Sequence, residues 1–206
     1  MSNTELGKRE IIMNASIKVF AAKGYHSCRT LDISKAAGVA YGSLYQYFKS
    51  KDDILLSIYR DNWNFLLQRM EKLNKGEGSP ATRIIQIVNF IFANYDHNPD
   101  LIKVMIMEVP KVSQFYDQEN QELYYRFFTG LAGIISEGQK KGLLNKEISP
   151  IIAAFVIYGA ADNTIRQYVF NPDFELLHFP MEEAKNQIIK FFIPSYLEPI
   201  KKIYNE

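Results

Sequence analysis

The chain has 206 residues, of which 47% are hydrophobic and 23% charged, so it can bury a sizeable core. Its longest apolar runs are interrupted by charges, and its start, MSNTELGKRE, lacks the apolar region of a secretion signal. We therefore expect no transmembrane helix, no export and a location in the cytoplasm. The single cysteine, Cys28, excludes an internal disulfide bond and a cysteine-ligated zinc site.

The net charge of +1 conceals an uneven distribution of charge along the chain. Residues 1–51 contain eight Lys and Arg against three Asp and Glu, a net charge of +5, whereas the remainder carries −4. A basic end on an acidic body is typical of a protein that presents one end to a polyanion. A solvated surface of uneven charge would give the same count, so the motifs must decide.

The first predicted helix, residues 6–23, is interpreted as a supporting helix. Its apolar face is predicted to consist of Ile12, Ala15, Val19 and Ala22. Lys8 and Arg9 at its start are candidate phosphate contacts, although charges near a terminus are usually solvated.

Residues 30–51, TLDISKAAGVAYGSLYQYFKSK, predict two short helices joined by a tight turn. The Thr30 hydroxyl is expected to cap the first of them by accepting from a free backbone N–H. Gly38 is expected to end it, because glycine adopts a positive φ without steric cost. The apolar face of this helix is predicted to consist of Leu31, Ile33, Ala36 and Ala37.

The second short helix, about residues 41–48, has two different faces. Leu44 and Phe48, four residues apart, are predicted to point inward. The outward face is predicted to comprise Tyr41, Ser43, Tyr45, Gln46 and Tyr47. A helix-turn-helix places such a face in the DNA major groove, where Gln reads a base edge while hydroxyls and lysines hold phosphates. The predicted DNA-binding residues are Arg29, Thr30, Ala40, Tyr41, Gly42, Ser43, Tyr45, Gln46, Tyr47 and Lys51.

Over about residues 8–58 the chain resembles the TetR family of bacterial transcriptional repressors. The features that carry the resemblance are VFAAKGY, Thr30, Ile33, AAGV, GSLYQYF and KSKDDIL, in that order. The resemblance implies a homodimer that binds operator DNA through its N-terminal domain and a small effector molecule through its C-terminal domain. Ala40, where Ser or Thr often caps the recognition helix, and Tyr41, where a small or charged residue is usual, depart from the pattern and affect the expected operator sequence.

A weaker resemblance involves FNPDF, which follows a long predicted helix that begins at Pro150 and contains YGAADNTI. These segments are similar to the subgroup of the family that responds to long-chain acyl-CoA thioesters. The resemblance implies an effector with a long apolar chain.

Proline and glycine divide the rest of the chain into further predicted helices. They are expected at 51–75, 80–96, 99–109, 113–141, 149–170 and 180–203. We predict an all-α protein of roughly nine helices, with a three-helix helix-turn-helix domain at 1–51 and a helical bundle for ligand binding and dimerisation at 52–206. Because Gly159, Ala160 and Ala161 permit close helix approach, the dimer is predicted to form through the helices at 149–170 and 180–203.

Many aromatic and methionine residues of the predicted bundle would either fill its core or line an elongated apolar pocket. Asn163 and Arg166 are expected to interrupt an apolar face and are candidates to hold the polar end of an effector. The predicted effector-binding residues are Phe90, Tyr95, Met105, Tyr124, Phe127, Phe128, Phe155, Tyr158, Asn163 and Arg166.

Motifs for catalysis are lacking in the sequence. His26, His97 and His178 lie far apart in predicted connecting segments, and the sequence has no HExxH, GxSxG or Gly-rich phosphate loop. We therefore predict no catalytic residues, no metal site and no cofactor. Two alternatives remain at this point, namely a helical enzyme with an attached DNA-binding-like domain and a constitutive DNA-binding protein without an effector.

Overall fold

A computed structural model describes residues 3–171, 173–174 and 178–193, with side chains from Gly7 onward. Among these residues the regular secondary structure is entirely helical, which confirms the all-α prediction. Nine α-helices are described: α1 (Asn3–Lys23), α2 (Thr30–Ala37), α3 (Tyr41–Tyr47), α4 (Lys51–Lys75), α5 (Pro80–His97), α6 (Pro99–Met107), α7 (Gln118–Lys140), α8 (Pro150–Phe170) and α9 (Met181–Phe192). Two 3-10 turns, Val109–Lys111 and Ser113–Tyr116, connect α6 to α7.

The chain divides into two compact units. The first comprises Met1–Leu66 and Asn98–Tyr124, and the second comprises Leu67–His97 and Tyr125–Glu206. The first unit therefore contains α6 and the 3-10 turns in addition to α1–α3 and the start of α4. The prediction that residues 1–51 bind DNA and that residues 52–206 bind the ligand and form the dimer stays a prediction.

The core of the first unit forms around α1, which packs against both α2 and α6. Its fully buried side chains include Ile12, Phe20, Ile33, Leu44, Phe48, Ile54, Leu55 and Ile58. Because α1 is covered by two helices, its buried face also takes in Met13 and Ser16. The prediction was wrong for Ala22 on α1 and for Leu31 and Ala36 on α2, which are exposed.

The ends of α2 differ in how well the sequence predicts them. Thr30 does not cap the helix, because the capping position is Arg29, whose backbone N–H donates to the Asp32 carboxylate at 2.9 Å. Gly38 ends α2 as predicted, with φ of 66°. The N–H of Val39 then donates to the Ser34 carbonyl at 3.0 Å, which closes the last turn.

The second unit packs α8 against both α5 and α9. Its core includes Ile84, Val88, Phe92, Phe127, Phe128, Leu131, Ile134, Ala154, Ile157 and Ala161. A Cβ on Gly138 would lie 2.6 Å from Leu144 and 3.1 Å from Pro80, so this position of α7 has room for glycine alone without a shift of its neighbours.

Two predicted helix boundaries need correction. The helix expected at 113–141 begins only at Gln118, because the side chain of Asn120 donates to the Gln114 carbonyl at 2.6 Å and holds the preceding residues in a 3-10 turn. The helix expected at 99–109 ends at Met107, ahead of Pro110. The helix expected at 180–203 is described as α9 up to Phe192, and its predicted remainder lies outside the described residues.

Candidate DNA-binding and effector sites

Helix α3 is short and is held by its two inward residues. Leu44 and Phe48 are buried as predicted, and Ala40 precedes the helix in an extended conformation. Tyr41, Tyr45 and Gln46 are exposed, while Ser43 and Tyr47 are half-buried. The helix therefore presents aromatic rings, hydroxyl groups and one amide to solvent.

Three hydroxyl groups meet at the junction of α2 and α3, and we call Thr30, Tyr41 and Tyr45 the hydroxyl cluster. The oxygen of Thr30 lies 3.3 Å from that of Tyr41 and 3.2 Å from that of Tyr45, and the two tyrosine oxygens are 3.0 Å apart. The tyrosine rings pack edge to face with centroids 5.4 Å apart. Hydrogen bonds from Thr30 and Tyr45 lower the pKa of Tyr41. Thr30 thus links two helices instead of capping one.

The ammonium of Lys51, expected on a DNA phosphate, is engaged within the protein. It donates to the carbonyl oxygens of Tyr25 at 2.7 Å and Cys28 at 2.9 Å, and it lies 4.2 Å from the centroid of the Tyr25 ring. An ammonium has three N–H donors, so one remains for another acceptor. Lys51 therefore ties the start of α4 to the segment between α1 and α2, and its DNA contact stays a prediction.

Other basic side chains near α3 divide into paired and exposed groups. Arg9 donates to Asp61 at 3.0 Å and lies over the Phe48 ring at 5.4 Å, so this candidate phosphate contact has partners within the protein. Arg29, Lys35 and Lys49 are exposed. These exposed positive charges lie at the two ends of α2 and in the turn after α3.

The thiol of Cys28 is buried beside this network. Burial raises its pKa, an effect that the nearby Lys51 ammonium opposes. Because the thiolate is the reactive form, this environment favours an unreactive thiol.

Glu108, which the sequence did not single out, joins the end of α6 to the segment after α1. Its buried carboxylate accepts from the backbone N–H of Tyr25 at 2.8 Å and from Lys111 at 2.8 Å. The hydroxyl of the same tyrosine donates to Asp52 at the start of α4. Tyr25 thus contacts α6 through its backbone and α4 through its side chain.

A second unforeseen junction lies around Asn120, which is fully buried at the start of α7. Its carbonyl accepts from the Tyr59 hydroxyl at 3.1 Å, and its side-chain oxygen accepts from Arg60 at 2.9 Å. Burial raises the pKa of Tyr59 to about 12, so this hydroxyl remains a donor at physiological pH. Asn120 therefore fastens the start of α7 to α4.

Four of the predicted effector-binding residues form an aromatic cluster between α7 and α8. The rings of Phe128 and Phe155 stack with centroids 4.3 Å apart. Tyr158 meets Phe127 at 5.6 Å and Phe128 at 5.2 Å, both edge to face. Phe127 and Phe128 are buried, Tyr158 is half-buried and Phe155 is 39% exposed. The other four predicted aromatic and methionine contacts are all half-buried, namely Phe90, Tyr95, Met105 and Tyr124.

The predicted polar contacts for an effector do not face the interior. Asn163 is exposed, so the prediction that it interrupts a buried face was wrong. Arg166 is half-buried, and its Nε donates to the Asp162 carboxylate one turn earlier at 2.7 Å. This ion pair uses one of the five N–H donors of the guanidinium and partly neutralises its charge.

The second unit contains an apolar cavity of about 110 Å³ between α5, α7, α8 and α9. It is lined by Ile84, Ile135, Gln139, Leu144, Asn145, Ile148, Ala153, Ile157, Phe192 and Ile193, none of which was among the predicted effector contacts. Both N–H groups of the Gln139 amide are taken, by the carbonyls of Asn145 and Ile148 at 2.7 Å each. A cavity of about 150 Å³ holds a molecule the size of benzene, so the smaller space here does not accommodate a long acyl chain in the present conformation.

Within the described residues no helix is long and apolar enough to cross a membrane. In the same residues there is no group of three or more His, Cys, Asp and Glu side chains arranged to hold a metal ion.

Comparison with known families identifies both parts of the chain. Residues 12–58 match the model described as bacterial regulatory proteins, tetR family, and residues 59–193 match the model of the C-terminal region of YsiA-like proteins. The chain belongs to the tetR family. It is thus a transcriptional regulator, and the prediction that it is not an enzyme is confirmed.

Several relatives of this tetR-family protein are regulators of fatty acid metabolism. The fatty acid metabolism regulator protein of Bacillus subtilis strain 168 is 29% identical over 160 residues, which cover 78% of this chain and 82% of that protein. The structure of FadR from Bacillus subtilis in complex with stearoyl-CoA is 26% identical, with a TM-score of 0.78, and the match covers 89% of this chain and 97% of that one. FadR from Bacillus halodurans shares the fold, with a TM-score of 0.80 at 21% identity over 93% and 97% of the two chains.

Dimerisation is typical of the tetR family, and α8 and α9 carry exposed apolar side chains that suit it. On α8 these are Ile152, Phe155, Val156 and Phe170. On α9, Phe191 is 78% exposed. Apolar side chains that recur on one face at three and four residue spacings indicate a surface that another helix covers.

Proposed function

We propose that the protein is a homodimeric repressor that binds a palindromic operator through α3 and releases it when a long-chain acyl-CoA binds the second unit. The observation that carries the effector class is the likeness over nearly the whole chain to a FadR whose structure contains stearoyl-CoA. Because this protein acts on operator DNA, it works in the bacterial cytoplasm.

The DNA-binding part of the proposal is supported by the exposed face of α3. Gln46 is exposed beside the hydroxyl cluster, and an amide can pair with a base edge in two places at once. Arg29, Lys35 and Lys49 supply positive charge around it. A dimer places two such helices on the DNA, so its operator has two-fold symmetry and half-sites about 34 Å apart or a multiple of that.

The effector part of the proposal is supported by the composition of the second unit. Phe127, Phe128 and Tyr158 form an aromatic cluster, and the same unit contains an apolar cavity with a different lining. We propose that a long chain enters an enlarged form of this cavity, so that the ligand-bound protein has a second conformation. Such a ligand changes DNA affinity because it prefers that conformation. A free fatty acid is the alternative effector, and a planar aromatic cation that stacks on the same rings is a less favoured one.

Within the first unit, the contacts of α6 support a proposed route to the DNA-binding helices. Its end contacts the segment after α1 through Glu108 and Tyr25, and Tyr25 in turn contacts Asp52 and Lys51 at the start of α4. We propose that a shift of α6 reaches α3 through these contacts.

The DNA-binding part is tested by selecting duplexes from a random library with the purified protein. We expect a palindromic consensus whose preference is relaxed by Gln46→Ala, while non-specific affinity stays within about twofold. Selection of no consensus would contradict the proposal. A consensus that no acyl compound releases would favour the alternative of a constitutive DNA-binding protein.

A further inference from the structure

In the hydroxyl cluster of Thr30, Tyr41 and Tyr45, the number of hydroxyl protons equals the number of hydrogen bonds within the cluster. Three hydroxyl groups carry three protons, and three mutual hydrogen bonds of 3.0–3.3 Å use all of them. Each oxygen then keeps one lone pair. The closed cluster therefore presents acceptors to the solvent, and it can present a donor only when one internal bond opens.

A phosphate oxygen makes this opening favourable. A hydrogen bond to a charged acceptor is roughly twice as strong as one between neutral groups. A hydroxyl that turns its proton toward phosphate loses one internal bond and gains a stronger one, while it still accepts from its neighbour. The cluster is thus a set of donors that an anion can recruit together.

The two tyrosine rings hold these hydroxyls in place before DNA arrives. Tyr41 is 48% exposed and Tyr45 is 45% exposed, yet their rings contact each other edge to face with an interplanar angle of 78°. Each ring therefore restricts the other on an otherwise open surface. Binding through groups that are already ordered loses less conformational entropy.

The surrounding charges also favour an anion. Asp32 is the carboxylate closest to the cluster in sequence, and it is already bonded to Lys23 at 2.9 Å and to the backbone N–H of Arg29 at 2.9 Å. The side chain of Arg29 is exposed next to Thr30. The cluster thus has an exposed cation beside it, and the charge of the neighbouring carboxylate is compensated.

We propose that Tyr41 is a positioning residue that orients the hydroxyls of Thr30 and Tyr45, and that the cluster binds one operator phosphate as a single unit. The inference rests on the proposed DNA-binding function and adds to it a cooperative contact that involves no charged side chain. Gln46 lies outside the cluster and is left to read bases.

The first test measures operator affinity for the parent, Tyr41→Phe, Tyr45→Phe and the double variant by fluorescence anisotropy at several salt concentrations. Each substitution keeps the ring and removes only the hydroxyl. We expect each single variant to bind about tenfold more weakly, as for the loss of a hydrogen bond to a charged group. The double variant should bind about as weakly as one single variant, because removal of either hydroxyl already breaks the unit.

The salt dependence separates these hydroxyls from cationic contacts. A neutral donor releases no counterions, so all Phe variants should keep the parent slope of affinity against salt. Tyr125→Phe, an exposed tyrosine of α7, is the matched control and should bind like the parent. The thermal midpoint of each variant is measured in parallel. Its small decrease from the lost hydroxyl contact should not scale with the loss of operator affinity, whereas in a purely structural role the two would fall together.

The second test replaces single operator phosphates with a neutral methylphosphonate. The parent should lose about tenfold at one position in each half-site, and the double variant should lose nothing further at that position. The proposal would be overturned if the affinity losses of the two single variants multiplied in the double variant. It would also be overturned if each methylphosphonate lowered the affinity of the parent and of the double variant equally. A loss confined to the cognate sequence would assign the cluster to base reading and would also overturn it. A parent that binds no DNA would contradict the proposed function itself, whereas additive variants of a DNA-binding parent would contradict the cluster alone.

Discussion

The Glu108 carboxylate accepts a hydrogen bond from the backbone N–H of Tyr25 at 2.8 Å, across 83 positions of sequence. The acceptor stands just beyond the end of α6, and the donor stands between α1 and α2. Because the carboxylate is buried, its loss would leave a buried N–H without that partner. This contact links the end of α6 to the segment between α1 and α2, in addition to the packing of α6 on α1.

Glu108→Ala should lower the free energy of unfolding by about 1–3 kcal/mol, the cost of leaving a buried group unsatisfied. Glu108→Gln should cost less, because its amide oxygen can still accept from Tyr25. The measurement is urea unfolding followed by circular dichroism. Lys111→Ala is the control, since it removes the exposed partner of Glu108 and leaves the Tyr25 bond in place. Equal losses for Lys111→Ala and Glu108→Ala would contradict this assignment.

Lys51→Met should reduce stability as well as operator affinity. The variant keeps the length of the side chain but removes the donor to the Tyr25 and Cys28 carbonyls, so we expect a loss of about 1–3 kcal/mol in unfolding. Lys49→Ala, an exposed neighbour, should change stability by less than about 0.5 kcal/mol and lower the salt slope of DNA binding by about one. Urea unfolding and salt titrations separate the two effects. Parent-like unfolding of Lys51→Met would show that the carbonyl contacts contribute nothing.

The sequence predicted elements whose cause is local. Proline at the start of α5, α6 and α8, and Gly38 at the end of α2, act through their own backbone conformations, so their positions followed from residue type. The exposure of Tyr41, Tyr45 and Gln46 followed from the helical period and the inward pair Leu44 and Phe48.

The sequence did not predict contacts between residues far apart in the chain. Lys51 was predicted to contact a phosphate, because the sequence around it does not indicate that its ammonium donates to the carbonyl of Tyr25. That carbonyl lies 26 positions earlier in the chain. Glu108 and Asn120 were overlooked for the same reason. Phe155 and Asn163 were predicted to face the interior of the bundle, but both are exposed. An apolar helix face has the same period whether it packs inside the protomer or against a second copy of the chain, so the sequence does not distinguish the two.

Phe191→Asp should convert the dimer to monomers and reduce operator affinity by at least about tenfold. The side chain is 78% exposed on α9, and a charge there would have to be desolvated on association. Sedimentation velocity at micromolar concentration measures the state of association. Phe65→Asp is the matched control, because Phe65 is an exposed phenylalanine in the first unit and its substitution should leave the dimer intact. A dimeric Phe191→Asp would remove α9 from the interface.

Stability should fall in acid partly through Glu137, whose carboxylate accepts from the buried Arg83 and from Lys141. The hydrogen bond from Arg83 is the main cause that lowers the pKa of Glu137 to about 2 from its ordinary value of 4.5. A lowered folded-state pKa means that this stabilisation is complete above about pH 4.5 and is lost as the pH falls toward 2.

Glu137→Gln should therefore have a lower thermal midpoint at pH 7 and a flatter decline of the midpoint between pH 4.5 and 2.5. Glu122→Gln, at an exposed position of the same helix, is the control and should follow the parent curve. Thermal melts over this pH range give the comparison. A Glu137→Gln curve parallel to that of the parent would show that the ion pair does not contribute.

The most direct measurement of the central claim is the titration of the labelled operator complex with stearoyl-CoA, free coenzyme A, stearic acid and a cationic aromatic dye, followed by fluorescence anisotropy. The account predicts that stearoyl-CoA releases the DNA and that free coenzyme A does not. Arg166→Ala tests whether the guanidinium now paired with Asp162 holds the anionic end, in which case release by stearoyl-CoA weakens. Release by the dye alone, or an operator complex that stays intact with every acyl compound, would contradict the account.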